Sequence, residues 1–191
     1  MNELALVRID DRLIHGQVVI KWLRYLGCNE VTIVDEELSE DVDLQTVLRL
    51  AAPRGVKLRV ASIDQVGELV EDWQPCGSCA AGSSSAVSVE DSLPFASKSQ
   101  NCRRRVLILV KTPSTALALI ERGLSIGELN VGGLAGVEGA RRVYRSISVT
   151  PDQMEILREI SSRGIRVYFQ TVPEERALEL AEVVPIPEAV Q

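Results

Sequence analysis

The chain has 191 residues, 46% of them hydrophobic and 25% charged, an ordinary globular mixture with enough apolar material for a sizeable core. Lys and Arg number 21 against 27 Asp and Glu, a formal net charge of −6, and the one dense basic run is Arg103-Arg104-Arg105, so no nucleic-acid partner is expected. No apolar run approaches the ~20 residues of a membrane span, and the N-terminus lacks a basic-then-apolar targeting pattern, which together predict a soluble cytoplasmic protein.

In chain order, Leu4–Ile9 reads as an apolar strand. Val18, Val19, Trp22, Leu23 and Leu26 then share one face at helical spacing, with Gly27 as a C-terminal stop. Val31–Val34 is the next strand, followed by a helix over Asp41–Ala52 that halts before Pro53. After a strand at Val56–Ala61, Ser62 and Gln65 have capping-box spacing, and the helix they open carries Val66, Leu69, Val70 and Trp73 inward. Strand Val106–Val110 leads to Thr112-Pro113, an N-cap followed by proline at the first helical position, and that helix ends at Gly123. Leu129–Val131 and Val143–Val149 read as strands, Thr150-Pro151-Asp152-Gln153 opens a helix stopped by Gly164, and Ile165–Val172 is the last strand. The runs at Val31 and Val106 are almost continuously apolar, as strands buried on both faces are. The predicted fold is α/β: a single domain over residues 1–191, with a mainly parallel central sheet of about seven strands flanked by helices on both faces.

The segment 74–104 interrupts this rhythm with a Ser-, Ala- and Gly-rich composition. It is longer than the ~15 residues that compact domains tolerate as structureless loop, and it is expected to be a flexible insertion. Cys76-Gly77-Ser78-Cys79, with Cys102, could suggest a thiol-metal or redox site. Against this, Cys28 is distant, His15 is the only histidine, and the strand-then-helix setting of a redox motif is missing. No metal is expected.

The densest chemistry lies in Val7-Arg8-Ile9-Asp10-Asp11-Arg12-Leu13-Ile14-His15-Gly16-Gln17-Val18. Here a strand ends, a charged loop follows and a helix begins, which puts His15 at the sheet edge where open α/β folds bind ligands. The helix N-terminus offers unpaired N–H groups to an anion, Gly16 permits close approach, and Arg12 and Arg8 can add phosphate donors. A neutral imidazole is a competent phosphoryl acceptor near pH 7, with Asp10 or Asp11 able to fix its tautomer. A histidine that merely caps the helix would leave the same pattern, and local chemistry does not separate the two.

That stretch resembles the active-site signature of the enzyme IIB components of mannose/fructose/sorbose-type sugar phosphotransferase systems. Ala51-Ala52-Pro53-Arg54-Gly55, Val110-Lys111-Thr112-Pro113 and Asn130-Val131-Gly132-Gly133 fit the same family in order, and Thr150–Leu157 and Gln170-Thr171-Val172-Pro173 are similar to its C-terminal part. The likeness covers nearly the whole chain outside 74–104. It implies a protein-Nπ-phosphohistidine–sugar phosphotransferase, in which His15 accepts a phosphoryl group, on Nδ1, from phosphorylated enzyme IIA and passes it to the incoming sugar. It further implies that Arg12, Asp10, Arg8, Asp11 and Gly16 bind or orient the phosphate, and that IIC and IID membrane components hold the protein transiently at the inner face of the membrane. A homodimer fits the family. No diffusible cofactor is called for, since no GxGxxG or P-loop spacing occurs. Gly132 and Gly133 read either as a structural turn or as a second loop at the same sheet edge. A different class of function uses the same residues: a regulatory module whose His15 phosphorylation reports sugar flux without transport.

Overall fold

The structure is a computed structural model and describes residues 2–13, 16–70, 73–75 and 104–183. Its elements are β1 (Asn2–Asp10), α1 (Gly16–Leu26), β2 (Glu30–Val34), α2 (Glu36–Glu40), α3 (Val42–Ala51), β3 (Lys57–Ala61), α4 (Ile63–Val70), β4 (Trp73–Pro75), β5 (Arg104–Val110), α5 (Pro113–Glu121), β6 (Glu128–Gly133), β7 (Arg141–Tyr144), β8 (Ile147–Val149), α6 (Pro151–Ser162), β9 (Arg166–Phe169) and β10 (Leu178–Glu179). The main sheet has eight strands: seven run in the order β10-β9-β6-β1-β5-β2-β3, all parallel except β10, which runs antiparallel to β9, and the short β4 joins β1 off this row. Strand β1 is central: β5 lines one of its edges, while β4 pairs with Asn2–Leu4 and β6 with Val7–Asp10.

This topology sets the site. From β1 the chain crosses through α1 toward β2, whereas from β5 it crosses through α5 to β6 on the far side of β1. Right-handed crossovers in opposite directions put the two helices on opposite faces. The packing agrees. Val19, Trp22 and Leu23 of α1 meet Leu107 and Leu109 of β5 in one core, and Ala116 and Leu119 of α5 meet Val106, Ile108 and Val110 in the other. Alternate residues of one strand thus serve both cores, and each fully buried leucine or isoleucine stabilises the fold by about 1.5–3 kcal/mol relative to exposure. The loop after β1 sits where the chain direction reverses, the crevice in which doubly wound sheets hold ligands.

Most predicted boundaries survive because the caps do. Ser62 and Gln65 exchange their two hydrogen bonds at 3.2 and 3.0 Å, Thr150 and Gln153 do the same, and Thr112 caps α5 ahead of Pro113. Other expectations fail for local reasons. Val143–Val149 is not one sheet strand but the hairpin β7–β8, folded at Arg145-Ser146 with Arg145 in the left-handed region at φ 44°. Trp73 belongs to β4 rather than to the preceding helix, and the last main strand stops at Phe169 because Gln170 begins a turn. Helix α2, capped by Asp35, and strands β4 and β10 carried no periodic signal, since each has five residues or fewer. The expected insertion 74–104 is trimmed at both ends, Gln74 and Pro75 pairing with β1 in β4 and Arg104 opening β5. Residues 76–103, with Cys76, Cys79 and Cys102, lie outside the described residues.

Candidate functional site

The C-terminal end of β1 carries two charged side chains into the α1-side core. Arg8 and Asp10 are both at most 1% exposed, and their ion pair spans 2.8 Å. A buried charge needs hydrogen bonds, and both terminal nitrogens of Arg8 have them, while its buried Nε has no hydrogen-bond partner among the described residues. Nη2 donates to Asp10 Oδ2 and to the Thr171 carbonyl, and Nη1 donates to Asn130 Oδ1 and, at 3.1 Å, to the Gln170 carbonyl. The guanidinium lies 5.2 Å from the centre of the Trp22 ring, and the Trp22 indole N–H donates to the same Thr171 carbonyl at 3.0 Å. Burial pulls the Arg8 cation below its ordinary pKa, and Asp10 opposes that by charge and hydrogen bond.

Glycine makes this packing geometrically available. A Cβ at Gly132 would fall 1.8 Å from Arg8 Cζ, and one at Gly133 would fall 2.7 Å from Asp10 Oδ1. Neither residue needs a positive φ. The Gly132-Gly133 pair was expected as a turn or a second loop; both residues are instead the end of strand β6, opposite Asp10. They are small because β6 must run against a guanidinium and a carboxylate.

Above this layer the loop is tied by its own backbone. Asp10 Oδ1 accepts from the Arg12 N–H at 3.3 Å, and the Asp10 carbonyl accepts from Leu13 N–H at 3.0 Å. Asp11 N–H donates to the Gly133 carbonyl at 3.1 Å, and Asp11 Oδ2 accepts from Ala135 N–H at 2.6 Å, fastening the loop to the chain after β6. Leu13 is buried at a left-handed φ of 52°, a conformation that costs a non-glycine residue on the order of 1–3 kcal/mol and persists where packing enforces it. Arg12, between two anchored neighbours, is exposed and bonded to no other described residue through its side chain.

The expected site residues therefore separate into layers. Arg8 and Asp10 form the buried floor, Asp11 pins the loop to β6, Arg12 faces outward, and Gly16 is the first residue of α1. His15 lies outside the described residues. Asn130, Trp22, Gln170 and Thr171 were not singled out as site residues, yet they complete the floor. Asn130 had a legible signal, a polar residue inside an apolar strand between Leu129 and Val131. The carbonyls of Gln170 and Thr171 had none. At the same sheet edge, Lys111, the residue after β5, makes a 2.6 Å pair with Asp35, the cap of α2. An exposed arginine on the loop leading into an 11-residue helix, whose first N–H groups have no partner within the helix, suits a phosphoryl-sized anion. Among the described residues no cluster of metal-ligating side chains occurs, and no helix is long and apolar enough to cross a membrane.

Comparison with known proteins gives consistent likenesses. The family model described as "PTS system sorbose subfamily IIB component" matches residues 4–76 and 77–190. The N-acetylgalactosamine-specific phosphotransferase enzyme IIB component 2 of Escherichia coli K12 is 26% identical over 180 residues, covering 94% of this chain and 98% of that protein. The mannose-specific EIIAB component of the same strain is also 26% identical, over 95% of this chain but 48% of its own length. The crystal structure of the IIBSor domain of the Klebsiella pneumoniae sorbose permease superposes with a TM-score of 0.74 at 25% identity, covering 94% of this chain and 95% of that one.

Proposed function

This chain belongs to the sorbose-subfamily IIB components of the sugar phosphotransferase system, and from that premise we propose that it accepts a phosphoryl group on His15 from a phosphorylated enzyme IIA and passes it to a sugar. The observation that carries this reading is the layered β1–α1 loop: a buried Arg8–Asp10 floor, a backbone-tied rim and an outward Arg12 three residues before the histidine in sequence. Phosphoryl transfer depends mostly on position and charge compensation, and such a loop supplies both.

In the first step the neutral imidazole attacks phosphorus, with Nδ1 as the acceptor. The P–N bond to the IIA histidine breaks as the bond to His15 forms, and the IIA imidazole leaves with its nitrogen free for reloading. In the second step the P–N bond to His15 breaks as a sugar hydroxyl oxygen bonds to phosphorus, and the hydroxyl proton ends on the departing imidazole, which returns to its neutral form. Arg12 and the opening N–H groups of α1 compensate the charge on the phosphoryl oxygens, Gly16 allows their approach, Asp10 and Asp11 orient the loop, and Arg8 holds Asp10 from below without touching phosphate. A IIA donor is supported by the mannose-specific relative, whose name joins IIA and IIB. Membrane IIC and IID components would present the sugar at the inner face of the membrane, and the chain itself would stay cytoplasmic with no diffusible cofactor. The segment around 76–103 is read as an insertion into a single domain.

The test is phosphoryl transfer from phosphoenolpyruvate through enzyme I, HPr and the cognate IIA, followed by intact mass. Wild type should gain one acid-labile phosphate and His15→Ala none, since the chain holds a single histidine. A wild type left unmodified by a phosphorylated, competent IIA would overturn the proposal. Adding membranes with IIC and IID then separates a carrier, which loses its phosphate to sugar, from a regulatory module, which keeps it.

A further inference from the structure

Strand β3 ends the row of the main sheet, so one of its edges has no neighbouring strand. Lys57 N–H donates to the Asn29 carbonyl, and the Ala61 carbonyl accepts from Asp35 N–H. The backbone groups of Lys57, Arg59 and Ala61 are therefore turned toward β2. Leu58 and Val60 turn their N–H and carbonyl groups the other way, where no other described residue bonds to them. A groove of about 550 Å³ runs along this strand, lined by all of Lys57–Ala61, by Arg49 of α3 and by Gln65 of α4. Successive strand residues face opposite sides of a sheet, so a groove that touches all five follows the edge. Its charged lining is cationic throughout: Arg49, Lys57 and Arg59. Arg59 pairs with Glu30 at 2.8 Å, whereas Arg49 and Lys57 are exposed and in no ion pair with another described residue.

We propose that this edge docks an extended acidic segment of a partner protein, which adds to the sheet as a further strand. Two features select that occupant. Unpaired N–H and carbonyl groups at alternate residues are what an extended main chain pairs with. The five residues of β3 span about 17 Å, which matches a segment of about five residues. The cations then choose among extended chains. Carboxylates opposite Arg49 and Lys57 are matched, whereas β3 of a second copy would bring the same Lys57 and Arg59 against this edge and be repelled. Cationic side chains on an edge also turn away apolar strands. Strand β3 lies three positions from β1 in the sheet, so a segment bound here leaves the Asp10–Leu13 loop free. The proposal does not rest on phosphoryl transfer.

The probe is a blocked six-residue peptide alternating valine and glutamate, titrated into the full chain to about 1 mM, the range of weak peptide contacts. Amide hydrogen exchange read by NMR reports where it sits. Binding should slow exchange at Leu58 and Val60 by about tenfold or more, and leave Lys57 and Arg59, already turned to β2, unchanged. The matching valine–lysine peptide should not bind. Lys57→Glu and Arg49→Glu, both exposed positions, should keep the wild-type melting temperature and each weaken the glutamate peptide by about tenfold. A glutamate peptide that fails to bind by about 1 mM overturns the proposal. So does binding without protection at Leu58 and Val60, equal binding of the lysine peptide, or affinity that neither variant changes. Protection of the two amides that grows with chain concentration in the absence of peptide also overturns it, because a second copy would then occupy the edge.

Discussion

Strand β1 is charged at both ends, and the two ends are built differently. At its start, Glu3 pairs with Arg105 at 3.5 Å, and Glu30 next along the sheet pairs with Arg59 and Arg104 at 2.8 Å. Those arginines keep 28% and 35% of their side-chain surface in water, so the carboxylates are buried but their partners are not. At the other end Arg8 and Asp10 are both enclosed, and the guanidinium is held by two side chains and two backbone carbonyls from β6 and the turn after β9. The first end is a row of adjustable cross-strand pairs, whereas the second is a closed network in which each member presupposes the rest. A site that must present one loop in one geometry rests on the second kind.

The sharpest way to break the contrast is at Arg8. Arg8→Met leaves Asp10 buried without its cation and should cost about 3–5 kcal/mol in urea unfolding. Gly132→Ala drives a methyl into the space of Arg8 Cζ, at 1.8 Å, and should cost nearly as much, around 3 kcal/mol. The two changes should be far from additive. Once Arg8 is shortened the methyl has room, so the double variant should be hardly less stable than Arg8→Met alone. Additive losses would mean that Gly132 is small for some reason other than Arg8.

Glu30→Gln probes the open end and should cost less, about 1–2 kcal/mol, because Arg59 and Arg104 can turn into solvent when their shared carboxylate is neutralised. Salt sharpens the distinction. High ionic strength should shrink the Glu30→Gln difference, since half-exposed pairs are screened, and leave the Arg8→Met difference nearly unchanged. Equal salt sensitivity at both ends would erase the distinction drawn here.

What was legible in the sequence follows the same division. Elements with local signals were readable: the Ser62/Gln65 and Thr150/Gln153 boxes, proline after Thr112, and the apolar strands Val31–Val34 and Val106–Val110, each of which appears where its capping or periodicity places it. The charged stretch after β1 was legible as a candidate site because it falls between a buried strand and the start of a helix, the sheet edge where open α/β folds hold ligands. The floor was not, because it is assembled across the sheet. Asn130 and Thr171 meet Arg8 over 122 and 163 residues of chain, and the carbonyl groups used there belong to every residue type alike. Gly132 and Gly133 were visible as glycines, but their reason is a neighbouring side chain that only topology supplies. Hairpin β7–β8 failed for the opposite reason, its apolar alternation outweighing the polar pair Arg145-Ser146 at which it folds.

The smallest stability effect should come from Arg12, and there the contrast turns into function. Its side chain is exposed and unpaired among the described residues, and the loop is held by its backbone N–H on Asp10 Oδ1, which survives any substitution. Arg12→Gln should therefore shift unfolding by less than about 0.5 kcal/mol. If Arg12 compensates phosphoryl charge, the same variant should lose transfer by a factor of roughly 100 or more, the scale of removing one preorganised donor. Rapid-quench measurement of phosphate arriving on His15 and leaving to sugar would show which step suffers. A loss in transfer together with a large loss in stability would instead place Arg12 in the floor with Arg8. A variant that is stable and fully active would remove it from the site.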